Sequence, residues 1–332
     1  LVVKDLLMSA TRFDIVGIGN AIVDLLLPTD DAFLSQHDMP KGVMSLIDAA
    51  RATQLTAEMA GGVTASGGSV ANTCAVAAAL GARVAFLGKV AADEMGDVFV
   101  REIAAEGVHY PTTPLADGVP TARCLILVTP DGSRTMNTYL GAGGEFSLDD
   151  LDEAVIAGAA VTYMEGYLFD PPAAQAAFAA AARLARGAGR QTALSLSDPF
   201  CVDRHRAGFR KLIADGIDIL FANEAEVCSL YELGETMDAA AAAAREIPLV
   251  IVTRSEAGSV ILSGGEVIEI PAEPVAVVDT TGAGDAYAAG FLTAFTRGEP
   301  LAVAGMLGAR AAALAISRIG ARPPAAELRR LL

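Results

Sequence analysis

Six apolar runs, each closed by polar or small residues, recur along the chain with helix-length segments between them, and no other feature restricts the fold as much. They are "FDIVGIGN", "RVAFLGKV", "AAVTYMEGY", "QTALSLSDP", "IDILFANEAE" and "PLVIVTRS". Each reads as a buried strand running into a turn. Ala-rich stretches such as 71–80 and 172–186 have the length and composition of helices. Strand alternating with helix predicts a mostly parallel sheet covered on both faces, an α/β fold in three α/β/α layers. Two places break the alternation. After Asp24 come "LLLP", a polar helix-like run and "GVMSLI", and residues 121–140 read as two strands joined by the turn "TPDGS". These insertions, within about 24–66 and 109–140, predict a small accessory β-sheet, either a lid or an edge extension, on one domain spanning 1–332.

A chain of 332 residues with 53% apolar content can bury a sizeable core. Its formal net charge of -16 argues against nucleic acid or an anionic membrane as partner, since both require a basic surface. A small polyanion in a local positive site stays open. Cys74, Cys124, Cys201 and Cys228 are too scattered for a metal or disulfide framework and read as reduced thiols. The first twenty residues lack the n-region and h-region of a secretory signal, and no run of ~18 apolar residues follows, so a soluble cytoplasmic protein is expected.

Several motifs fail on inspection. "GIGNAIVD" places Ile22 where a dinucleotide fingerprint needs its third glycine, and "GVTASGGS" places Gly68 where a P-loop needs its lysine. His37, His109 and His205 show no zinc spacing. "DTTGAGDAYAAGF", residues 279–291, is different. It follows the strand-like "PVAVVD" and opens a good helix former, so the amides of Ala283, Gly284 and Asp285 are expected to lie free at the positive end of a helix and to form an anion hole for a phosphoryl group. A carboxylate there repels phosphate but can accept the proton of an attacking hydroxyl, which assigns Asp285 as a base. A tight glycine turn with an Asp cap is the plainer alternative.

The full set of motifs resembles the PfkB or ribokinase-like family of carbohydrate and nucleoside kinases over nearly the whole chain. "SGGSVANTCAVAAALGARVAFLGKVAADEMGDVF" is similar to the family's N-terminal signature and "DTTGAGDAYAAGF" to its C-terminal one. The resemblance implies a ribokinase-like sandwich with a β lid, ATP as donor and magnesium as the required ion. It implies Asp285 as base, with Gly282, Ala283 and Gly284 as anion hole. Asn223 and Glu226 match an N-x-x-E motif acting on magnesium through water and on phosphates, with a helix cap as the alternative. Asp24, Gly67, Gly68 and Asn72 match positions that hold sugar hydroxyls, and Asn20 belongs to the same wall; a strand-end cap is the alternative for Asp24. Arg134 matches a lid arginine that reaches phosphate, or else a solvated hairpin residue. On a strand over 134–140, Arg134, Met136, Thr138 and Leu140 would share a face.

Thr253 and Gly258 match the nucleotide loop, but Ser255 replaces its middle glycine. A potassium-type ion near Asp279 and the Thr281 carbonyl occurs in part of the family. "ALSLSDPF", "DILFANEAEV" and "AALAISRIGARPP" are closest to the adenosine kinase branch, which implies adenosine as acceptor, with Met136, Leu140 and aromatics such as Tyr139 or Phe169 as a purine slot or as ordinary core. A free sugar acceptor and a catalytically silent nucleoside sensor are the other readings. Oligomeric state is not legible.

Overall fold

The computed structural model describes residues 11–59 and 61–332, so part of the N-terminal stretch read for a targeting signal, residues 1–10, lies outside it. In chain order the described strands are β1 (Phe13–Ile18), β2 (Ile22–Pro28), β3 (Met44–Leu46), β4 (Val63–Gly67), β5 (Val84–Leu87), β6 (Ala122–Val128), β7 (Arg134–Tyr139), β8 (Ala159–Glu165), β9 (Gln191–Ser195), β10 (Ile219–Asn223), β11 (Leu249–Thr253), β12 (Ser259–Ser263) and β13 (Glu266–Ile270).

The six apolar runs become β1, β5, β8, β9, β10 and β11, adjacent and parallel in a sheet ordered β13-β12-β11-β10-β9-β8-β1-β5. Strands buried on both faces carry apolar residues at every position, and the period of two decides which layer each one feeds. In β10 and β11, Ile219, Phe221, Leu249 and Ile251 join the core under the Ser69–Ala79 and Ala283–Thr296 helices. Leu220, Ala222, Val250 and Val252 join the opposite core, beneath the Pro172–Gly187 and Pro199–Gly216 helices. The antiparallel edge pair β12–β13 was not expected. Its signal was present: Gly264 (φ +58) and Gly265 (φ +85) take the two left-handed positions of a tight hairpin turn.

The expected hairpin is β6–β7, and it lies in a second sheet ordered β3-β7-β6-β2-β4. One face packs on Leu25, Leu34, Leu55, Leu125 and Leu127. Leu140 falls outside β7 in a right-handed helical conformation, so the shared face inferred over 134–140 ends at Tyr139. "PVAVVD" is a correction too: it joins no strand ladder. Pro271 and Pro274 remove amide donors, and Val278 and Asp279 instead donate to the Ile316 carbonyl. No helix among the described residues is long and apolar enough to cross a membrane.

Candidate active site

Gly282 sits as N-cap of the Ala283–Thr296 helix with φ +75, and a Cβ there would lie 2.6 Å from that of Ala321, so both backbone sign and space require glycine. The first helical bond runs from the Ala286 amide to the Gly282 carbonyl at 2.8 Å, which leaves the preceding amides without intrahelical partners. Ala283, however, donates to the Thr280 carbonyl at 3.2 Å, closing the turn. Gly284 and Asp285 therefore supply the free amides, not all three as expected. Space beside Gly284 is open, since a Cβ there would meet nothing within 4 Å.

The Asp285 side chain turns away from this opening toward the start of the Ser69–Ala79 helix. Ser69 Oγ donates to Oδ1 (2.6 Å), Asn72 Nδ2 donates to Oδ2 (3.2 Å), and Thr73 Oγ1 donates to the Asp285 carbonyl (3.2 Å). Burial raises this carboxyl to about 6 against the opposing pull of Ser69, Asn72 and the Arg322 guanidinium. It is thus ionised yet weakly basic near neutrality, the range that suits proton abstraction.

Asp24 enters from the other sheet. It lies on β2 opposite Ala65 of β4, and a Cβ on neighbouring Gly67 would stand 2.4 Å from Asp24 Oδ2. Its carboxylate accepts no hydrogen bond among the described residues. Burial raises it to about 7, Arg322 and Arg134 pull it down, and Asp285 adds to the rise. Gly68 caps the Ser69–Ala79 helix with φ +98 and passes against the Asn20 carbonyl, where a Cβ would come within 2.2 Å. Asn20 Nδ2 donates to Glu165 Oε1 at 2.8 Å, and the Val70 amide donates to Oε2 at 2.9 Å, fixing the turn from behind. Glu165 is buried and also raised to about 7 by desolvation.

The strand-end elements β10 and β11 bring the remaining candidates. Asn223 and Glu226 form a reciprocal capping box: Asn223 Oδ1 accepts from the Glu226 amide, and Glu226 accepts from the Asn223 amide and Nδ2. Burial raises Glu226 to about 7. Both its oxygens are engaged, which suits contact with hydrated magnesium and not direct ligation. Among the described residues no group of three His, Cys, Asp or Glu side chains could hold a metal.

Thr253 Oγ1 reaches the Ala222 carbonyl at 3.5 Å, and Gly258 adopts φ +82 against the Ile270 carbonyl. Ser255 keeps the left-handed φ of +50 despite its side chain, so the serine retains a backbone form for which glycine is the unstrained choice.

Arg134 leaves the second sheet and reaches the loop before the Ala283–Thr296 helix. Its Nη2 lies 2.9 Å from Asp279 Oδ2, an ion pair held by charge more than by alignment, and its Nη1 donates to Thr281 Oγ1. Asp279 also accepts from the Thr281 amide and hydroxyl and from the Gly320 amide. Arg134 thus stands where a monovalent cation at Asp279 was expected, and these residues do not fit that ion. Phe169 is core, 4.4 Å from the Phe209 ring centre and buried, so it is removed from the purine slot. Tyr139 is buried as well, while Met136 is half-buried on β7 beside β3.

A family model described as pfkB family carbohydrate kinase matches residues 43–328. The chain belongs to this family. The adenosine kinase of Saccharomyces cerevisiae is 26% identical over 95% of this chain and 98% of its own. Among solved structures, the adenosine kinase from Sinorhizobium meliloti is 48% identical, with a TM-score of 0.89 over 97% of this chain and 100% of that one. A probable sugar kinase from Rhizobium etli CFN 42 is 46% identical, with the same TM-score and coverage. This pfkB protein is therefore a phosphotransferase with an alcohol group as acceptor, of adenosine kinase or sugar kinase type.

Within the pfkB frame the structure brings Asp285, Gly282, Gly284, Asp24, Gly67, Gly68 and Asn72 to the facing ends of the two helices and of β2 and β4. Sequence reading missed three residues there: Ser69, Glu165 and Arg322. Ser69 lies inside the N-terminal signature and Arg322 inside "AALAISRIGARPP", but neither stretch marks that side chain as one that faces the site. Glu165 closes a strand as a lone acid and carries no local signal.

Proposed function

We propose that this protein transfers the γ-phosphate of ATP to the 5'-hydroxyl of adenosine, giving AMP and ADP. The carrying observation is the placement of Asp285, a half-buried carboxylate at the open N-terminus of the Ala283–Thr296 helix with each oxygen already accepting one hydrogen bond and one lone pair left. Asp285 takes the proton of the 5'-hydroxyl as that oxygen attacks the γ-phosphorus, the bond to the β-bridging oxygen breaks, and ADP leaves with the electron pair. The Gly284 and Asp285 amides, with the helix dipole, stabilise charge on the transferred group. Asp24, free of protein partners, accepts from two vicinal ribose hydroxyls, so an acceptor lacking one leaves a buried oxygen unpaired. Asn223 and Glu226 would face the water shell of a magnesium ion, which when bound would neutralise phosphate charge.

Adenosine is preferred because the likeness to adenosine kinases runs through the segments between the two signatures as well as through them. A panel of adenosine, inosine, guanosine, cytidine, ribose and fructose with magnesium-ATP, read by ADP release, tests this. Turnover at low micromolar adenosine is expected. Turnover with a sugar alone would keep the mechanism and replace the acceptor, and no turnover with any of them would favour the silent sensor.

A further inference from the structure

Arg322 belongs to the loop between the Leu301–Ile316 and Ala325–Leu328 helices, far in sequence from both signatures. That loop is pinned at the phosphate end of the site: the Gly320 amide donates to Asp279 Oδ2 at 2.9 Å, and Ala321 packs on Gly282. From there the Arg322 side chain crosses to the acceptor side. Its Nε donates to Asn72 Oδ1 (2.8 Å) and its Nη1 to Ser66 Oγ (2.7 Å), while Nη2 is shielded from solvent with no hydrogen-bond partner. It forms no ion pair among the described residues.

The side-chain amide of Asn72 has two orientations of nearly equal shape, and its surroundings must choose between them. Arginine only donates, so the Asn72 oxygen faces Arg322 and the amide nitrogen is left facing Asp285 Oδ2. Turned over, Asn72 would set its oxygen against the carboxylate and its nitrogen against the guanidinium. Arg322 therefore selects the orientation in which Asn72 supports a negative Asp285.

We propose that Arg322 is a positioning residue for phosphoryl transfer: through the fixed amide of Asn72 and through its own charge it holds Asp285 in the ionised form required of the base. Asp24, Glu165, Tyr163 and Tyr167 also couple to Asp285, each of them raised by its charge, and none of them is a cation. Arg322 is also the largest influence lowering Asp24, so one guanidinium serves the base and the acceptor-facing carboxylate together.

The inference rests on Asp285 being the base, so its test is read without substrate. Protein labelled with carbon-13 at the aspartate carboxyl is titrated by NMR, with the Asp285 signal identified by its loss in Asp285→Asn. Arg322→Met is expected to raise the Asp285 midpoint by about one unit and to move the acid limb of the kcat–pH profile by the same amount. Arg322→Lys, which keeps the charge but not the planar fork, should recover part of the shift. Adding Arg322→Met to Asn72→Leu should shift the midpoint by less than the two single shifts combined. An unmoved midpoint in folded Arg322→Met overturns the proposal, because a strut for Ser66 alone would cost stability and leave Asp285 where it was. If that variant does not fold, an unmoved midpoint in Arg322→Gln, which keeps a polar side chain but loses the charge, overturns it. Full turnover in Asp285→Asn would instead sink the assignment of the base, whatever the titration showed.

Discussion

Asp285 shows how a side chain is tuned by what it touches. Burial raises it, and two donated hydrogen bonds with one nearby guanidinium oppose that rise, leaving it at about 6. Asp285→Asn keeps the shape and both neighbours but removes the proton acceptor. It is expected to lower kcat by about 10²–10⁴-fold while acceptor affinity, measured by calorimetry without ATP, changes little. The wild-type kcat should rise with pH through about 6 and then level, since only the ionised base is competent. A profile flat down to pH 5 would contradict that assignment. Asp285 stood out as the proposed base because glycines, carboxylate and helix former lie within one short stretch. Ser69 and Arg322 were not, since hydrogen bonds spanning 216 residues to Asp285 and 250 to Asn72 leave no local trace.

At the scale of elements, β7 does more than close the second sheet. Through Arg134 it grips Asp279 and Thr281, so the second sheet and the loop before the Ala283–Thr296 helix are joined by charge. A second cation at Asp279 would meet the guanidinium at contact distance, where repulsion disfavours binding. Replacing sodium by potassium at constant ionic strength should therefore leave turnover unchanged, and Arg134→Gln should make it potassium-responsive. A wild-type enzyme strongly activated by potassium would show that Arg134 moves off Asp279 in turnover. The β6–β7 hairpin was legible from apolar runs around "TPDGS". β12–β13 is marked in the sequence only by its Gly-Gly turn, and the apolar composition of "PVAVVD" is strand-like although its flanking prolines cannot donate to a ladder.

For the molecule as a whole, the buried carboxyls decide how stability follows pH. Asp24, Glu165 and Glu226 stand near 7 and Asp285 near 6 in the folded state, against about 4 for ordinary carboxyls in an unfolded chain. Between those limits the folded protein holds more protons, so stability is greatest below the unfolded value and is lost as pH rises through about 6 to 7. Asp93 and Asp279, held low by hydrogen bonds, act oppositely and lose their contribution only when pH falls through their depressed folded values. The net charge of -16 adds repulsion on the alkaline side. The substrate-free protein is expected to melt several degrees higher near pH 5.5 than at pH 8 by calorimetry, at low salt. A midpoint that climbed over that range would show the buried carboxyls to be ionised without cost.

Strand and helix periodicity, local turns and contiguous signatures belong to the sequence because each rests on residues within one element of one another. From them follow the layered fold, the second sheet, the family and Asp285. Which amide faces the base, which arginine stands beside Asp24, that Glu226 spends both oxygens on a cap and that Arg134 occupies Asp279 were settled by packing alone. Each depends on distant segments meeting across the sheet order, where distances of a few tenths of an ångström, invisible to composition, decide which donors reach which acceptors.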